Sequence, residues 1–179
     1  VAFLPGVEVQ TREDVHLLAY FRTVSELCAF CDFLYDHLPG MENVPAFFGE
    51  QQVRNADDEV IDTEPRLLLQ SADLSLDALV WEIDARGGVS VPAHINKQAN
   101  SLIEILGFIP ENLPFAALEA SSKAPMTDLD TGGRKILFSS DAHQLCDISE
   151  REHFLTLPEP TAEALFDDLL RRRKAYAPA

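Results

Sequence analysis

The sequence predicts an α/β fold, with a mostly parallel sheet covered by helices. Three observations carry the prediction. Strand-like and helix-like segments alternate along the chain, and several of the strand-like segments, such as VHLLAYF (15–21) and VSVPA (89–93), are continuous apolar runs rather than one-sided alternations. The third observation is size and balance: 179 residues, 46% hydrophobic and 25% charged, suit one domain of residues 1–179 with a substantial core.

The elements follow in order. Phe3 to Gln10 reads as a short strand after a Pro-Gly turn, and Val15 to Phe21 as a second. Thr23 opens a helix with a capping box to Glu26, and that helix aligns Leu27, Phe30, Leu34 and Leu38 before stopping at Pro39-Gly40. Gln51 to Ile61 has the pattern of a hairpin turned by Asn55 to Asp58. Ser75 to Arg86 is a helix rich in Leu, Val and Trp81, ended by Gly87-Gly88. Val89 to Ala93 is a buried strand that ends at His94, and Ser101 to Leu106 a short helix. Phe115 to Glu119, Ile136 to Ser139 and Glu152 to Leu157 are three further short strands. Thr161 to Tyr176 is a closing helix, acidic at its start and basic at RRRK near its end, as its dipole prefers.

A formal net charge of −16 argues against broad binding to long nucleic acid or anionic membrane, though not against a phosphate-bearing small substrate. No apolar run is long enough to span a bilayer, and the first residues lack a signal-peptide pattern. Three cysteines do not make a disulfide framework. Cys28 and Cys31 form a CxxC inside a helix with no second pair, which fits thiols in a reducing cytoplasm better than a zinc site. The chain starts at Val1, just before or inside a strand, which reads as a fragment or a chain lacking its first segment.

The residues that offer chemistry sit at strand ends, where α/β folds assemble sites. Glu8 lies in GVEV, His16 opens HLLAYF, His94 ends VSVPAH, and Asp141 and His143 follow KILFS. In extended backbone the side chains of residues two apart share a side, so Asp141 and His143 would converge. Three imidazoles and two carboxylates suit Zn, Mn or Fe better than Ca or Mg. Taken singly, each is equally well read as a turn or surface residue; their joint placement is the signal. His37, closing a helix, and His153, beside Glu152, read as structural or surface residues.

The segments LPGVEVQTREDVHLLAYF, GGVSVPAHINKQANSLI and LFSSDAHQLCDI resemble the later motifs of the PHP (polymerase and histidinol phosphatase) domain, from Val1 to about Leu157. The resemblance implies a distorted (β/α)7 barrel and a phosphoesterase using two or three clustered divalent ions (Zn, Mn or Fe). It implies that Glu8 bridges metals, that His16 and His94 are ligands, and that Asp141 and His143 are the closing Asp-x-His pair. Glu8, Asp141 and His143 would then serve catalysis directly, and Lys97, after His94, would meet a substrate phosphate. The family's opening His-x-His element has no counterpart here. The resemblance therefore implies a barrel incomplete at its N-terminus, short against the roughly 250 residues of a βα barrel. Exposed strand edges left by such a gap would invite pairing with another chain.

The expected function is hydrolysis of a phosphomonoester or phosphodiester of a small substrate, a nucleotide or similar, by metal-activated water. Two alternatives stand beside it: a noncatalytic PHP-like domain that binds metal or phosphate, and an amidohydrolase-type hydrolase that cleaves another bond class. A structural domain with incidental histidines would bind no metal tightly.

Overall fold

The computed structural model of the chain describes residues 3–126, 130–150 and 152–176. Its centre is a three-stranded sheet in the order β1 (Gly6–Gln10), β2 (His16–Tyr20), β5 (Val89–Pro92). Both pairings are antiparallel, with Gly6 opposite Tyr20, Gln10 opposite His16 and Leu17 opposite Pro92. This corrects the expectation of a mostly parallel sheet. The turn between β1 and β2 is too short for the crossover that a parallel pair needs. It closes with Thr11 N–H on Val15 C=O (2.9 Å) and Asp14 N–H on Thr11 C=O (2.9 Å), with Asp14 left-handed at φ 66°.

The apolar runs have another cause than parallel pairing: the sheet is covered on both faces. Leu17, Ala19 and Phe21 pack into one core with Phe30, Leu79 and Ile83. On the other face, Leu18 and Tyr20 join Val89, Val91, Phe166 and Leu169. The first cover comes from α1 (Val24–Asp36) and α3 (Leu76–Ala85), and the second from α5 (Ala162–Tyr176). The predicted capping box is present on α1: Glu26 N–H donates to Thr23 Oγ1 (3.2 Å) and Thr23 N–H to Glu26 Oε2 (2.9 Å). Phe30 and Leu34 form its buried stripe, with Leu27 and Leu38 partly buried alongside.

Strands β6 (Leu118–Ser121) and β7 (Ile136–Ser139) form a parallel pair, the one such pair among the described residues. Ala116 N–H donates to Ser90 C=O (3.0 Å) and Ile95 N–H to Glu119 C=O (2.9 Å), so the β6 segment runs beside β5 in the same direction. The hairpin of β3 (Gln52–Arg54) and β4 (Val60–Thr63) stands apart as its own small sheet. Asn55 Oδ1 organises its turn by accepting the N–H groups of Asp57 and Glu59, each at 3.0 Å. Three short helical segments complete the elements: α2 (Pro45–Phe48), which the sequence pattern did not predict, α4 (Leu102–Leu106), capped by Ser101, and one 3-10 turn at Leu145–Asp147.

Among the described residues the three small sheets form no closed barrel, and β1 and β7 each keep one edge without a strand partner. Two further expectations are corrected. The strand expected at Phe115 to Glu119 lies at Leu118–Ser121, where β7 supplies a ladder. Glu152 to Leu157 forms no strand: Phe154 and Leu155 are exposed, so no buried face fixes a register. The loop expected to shape specificity, Ser121 to Arg134, includes residues 127–129, which lie outside the described residues.

Candidate metal centre

Directly opposed residues of an antiparallel pair share a face. Glu8 lies opposite Leu18, and His16 opposite Gln10, so Glu8 and His16 are diagonal neighbours on one face. His94 reaches the same spot by a different route. Strand alternation would place it on the opposite face from Val89 and Val91, but a left-handed φ of 28° takes it out of the alternation. Such backbone is uncommon for histidine and persists only when neighbours hold it. Here Glu119 Oε2 accepts the His94 N–H at 3.0 Å.

The three side chains converge. His16 Nδ1 lies 2.8 Å from Glu8 Oε1 and 3.1 Å from His94 Nε2, and His94 Nε2 lies 3.4 Å from Glu8 Oε1. His94 is buried, while the Glu8 side chain is 33% exposed. The His16 hydrogen bond, then that of His94, holds the Glu8 carboxyl well below the usual carboxylate range against the opposing effect of burial. His16 Nε2 also faces Gln10 Oε1 at 3.4 Å.

This set fits one divalent ion. Bonds of about 2.0–2.2 Å in a tetrahedral shell put neighbouring ligand atoms about 3.3–3.6 Å apart. The observed separations of 2.8, 3.1 and 3.4 Å reach that shell by movements of tenths of an ångström. Two imidazoles and a carboxylate are the donors that Zn, Mn or Fe accept. On the far side of the His94 ring, buried Nδ1 has no hydrogen-bond partner among the described residues.

Asp141 and His143 sit beside this triad, not within it. Asp141 Oδ1 lies 3.4 Å from His143 Nε2, so the two side chains do meet. They meet across a left-handed Asp141, φ 45°, rather than along an extended strand. Asp141 Oδ2 is paired with the Lys97 ammonium. Lys97, expected to await a phosphate, is engaged with a carboxylate. The Asp141 side chain is 14% exposed and that of His143 80%.

A cavity of about 420 Å³ opens between these groups, with Glu8, Gln10, His16 and His143 on its polar side and Val7, Leu34, Tyr35, Leu38 and Leu69 among its apolar walls. His37 and His153 lie elsewhere, as expected: His37 Nδ1 bonds Phe33 C=O at 2.8 Å, and His153 stacks on Phe138 at 4.2 Å.

The sequence reading missed Glu119 and Asn96. Glu119 Oε1 also accepts the Ser139 hydroxyl, so this buried carboxylate of β6 holds the C-terminal ends of β5 and β7 together. A lone acid inside the apolar run FAALEA was the available signal, because unpaired carboxylates are rarely buried.

The arrangement is a mixed α/β chain in which Glu8 from within β1, His16 from the start of β2 and His94 just after β5 form a compact Glu-His-His set that could hold a metal ion. No family model matches the chain, and no curated protein sequence matches it. Among solved structures, it is similar to the lesion-specific endonuclease PfuEndoQ from Pyrococcus furiosus, with a TM-score of 0.55 and 18% identity. The match covers 96% of this chain and 38% of that one. At this identity the likeness is one of fold. No helix among the described residues is long and apolar enough to cross a membrane.

Proposed function

We propose that the chain carries the metal-ligand half of a metal-dependent phosphoester hydrolase of the PHP type. The observation that carries the reading is the convergence of Glu8, His16 and His94 within one ligand shell. Glu8, His16 and His94 would hold the ion, which supplies Lewis-acid polarisation of a phosphoryl oxygen and a more acidic water. Glu8, kept ionised by its two histidines, contributes the negative charge that makes the site attractive to a cation. His143 faces the same cavity from outside the triad, with Asp141 against its Nε2. That position suits a proton donor to the leaving oxygen, oriented by the carboxylate.

The substrate we infer is a small phosphorylated molecule with an apolar or aromatic body, such as a nucleotide. A cavity of about 420 Å³ has the size of a small-molecule pocket, and its apolar walls adjoin the ligand set. The net charge of −16 disfavours a long polyanion. A second reading, cleavage of a nucleic-acid strand, is favoured by the endonuclease whose fold the chain resembles. A cytoplasmic setting suits Cys28, Cys31 and Cys146, all of which are free thiols.

The test is hydrolysis of a panel of nucleotide monoesters, nucleotide diesters and single-stranded oligonucleotides with added Zn²⁺ or Mn²⁺. Turnover of a nucleotide ester, lost with chelator and with Glu8→Gln, is the expected result. Cleavage of oligonucleotides alone would select the second reading. Metal bound without turnover of any ester would leave a noncatalytic binding domain, and no bound metal would sink the assignment.

A further inference from the structure

We infer that Lys97 is a built-in counter-ion to Asp141, so that the site formed by this chain's own residues takes a single ion. The inference rests on the proposed metal-dependent reading and narrows it, since the sequence resemblance implies two or three ions.

Three observations support it. The ligand atoms that converge are those of Glu8, His16 and His94, which lie close enough together to share one ion. The second carboxylate is already neutralised: Asp141 Oδ2 is paired with the Lys97 ammonium, and its Oδ1 faces His143 Nε2 at 3.4 Å. A divalent ion arriving at Asp141 and His143 would meet a fixed positive charge on the same carboxylate.

Lys97 also has an anchored base, unlike an ordinary surface lysine. Its N–H donates to His94 C=O at 2.9 Å, closing a tight turn. Asn96 pins that turn to the end of β6: its Nδ2 donates to Ser121 C=O and Ala124 C=O, both at 2.9 Å, and its Oδ1 accepts Ser121 N–H at 2.8 Å. One turn therefore delivers His94 to the ion-binding triad and Lys97 to Asp141. The arrangement also leaves His143 free of an ion, as a proton donor must be.

The experiment is equilibrium dialysis against Zn²⁺, and separately Mn²⁺, with elemental analysis of the chain. Wild type should bind one ion. Lys97→Met keeps the alkyl stem, removes the charge and should bind a second, weaker ion. Lys97→Met combined with Asp141→Asn should return to one, and Lys97→Arg should stay at one. Two or more ions on wild type would overturn the inference while leaving the metal-dependent reading intact. A single ion on Lys97→Met, or a second on Lys97→Arg, would overturn it as well. No ion on wild type would overturn the metal-dependent reading itself.

Discussion

Glu119 holds His94 from behind: its Oε2 accepts the His94 backbone N–H at 3.0 Å while its Oε1 is taken by Ser139. The carboxylate thereby stabilises a left-handed residue at the point where that residue must aim Nε2 at Glu8 and His16. Removing it frees the strained backbone to relax and leaves a buried N–H without an acceptor. Glu119→Ala should weaken Zn²⁺ binding by about 10-fold or more, the scale typical of lost outer-shell support. Competition titration with a chromophoric chelator would check this. An unchanged affinity in a folded variant would mean that Glu119 does not position His94.

Glu8 makes the metal-free chain sensitive to acid. Its carboxyl is held below the ordinary range, first by His16 and then by His94, so the folded state releases this proton more readily than the unfolded chain does. A depressed carboxylate stabilises the fold above its unfolded pKa, about 4.3, and that contribution drains away as pH falls below it. In chelator, wild type should melt higher than Glu8→Gln at pH 6, with the gap beginning to narrow near pH 4.5 and still narrowing below pH 3. Thermal melts by circular dichroism across that range measure it. A gap that is constant with pH would show that the hydrogen bonds to Glu8 do not depend on its charge.

The legible parts of this fold were the local ones. The Thr23–Glu26 box, the Phe30–Leu34 stripe and the Asn55-centred hairpin turn each depend on residues a few positions apart. Sheet direction was not legible in this way. Leu17, Leu18 and Ala19 form an apolar run because helices cover both faces of an antiparallel sheet, and the same composition would serve a parallel one. His16 and His94 could be picked out as candidates because polar residues bordering apolar strands stand out in a sequence, and Glu8 because it is an acid within a short apolar stretch. What each one touches could not, because the left-handed twist at His94, the grip of Glu119 and the Lys97–Asp141 pair join residues 25 and 44 positions apart.

Gly88 shows how tightly the first core closes on the strand that leads to His94. A Cβ added there would lie 2.7 Å from Phe21 Cε1 and 2.9 Å from Ile83 Cγ2. Both neighbours are fully buried and have no space to retreat into. Gly88→Ala should therefore cost about 1–3 kcal/mol of stability through overpacking. Phe30→Ala, which empties the same core from α1, should cost about 3–5 kcal/mol. Urea unfolding curves with unchanged slopes would report both, and a neutral Gly88→Ala would mean that the Phe21 ring has room to shift.

Tyr20 should set the alkaline limit. It lies on the face of β2 that packs toward α5, and burial first, then the negative charges of Glu119 and Glu8, push its phenol well above the ordinary tyrosine range. The folded state therefore holds this proton more tightly than the unfolded chain does. A raised pKa contributes stability that is fully present below the unfolded value of about 10 and is lost as pH rises beyond it. Tyr20→Phe removes that liability and buries a ring of the same shape, so its alkaline unfolding midpoint should move to higher pH than that of wild type. Circular dichroism followed from pH 8 to pH 12, with phenolate absorbance recorded in parallel, tests both halves of the argument. In wild type, part of the phenolate signal should appear only together with unfolding, and that part should be missing from Tyr20→Phe. If the variant unfolds at the same pH as wild type, the ionisation of Tyr20 is not what opens the fold in alkali.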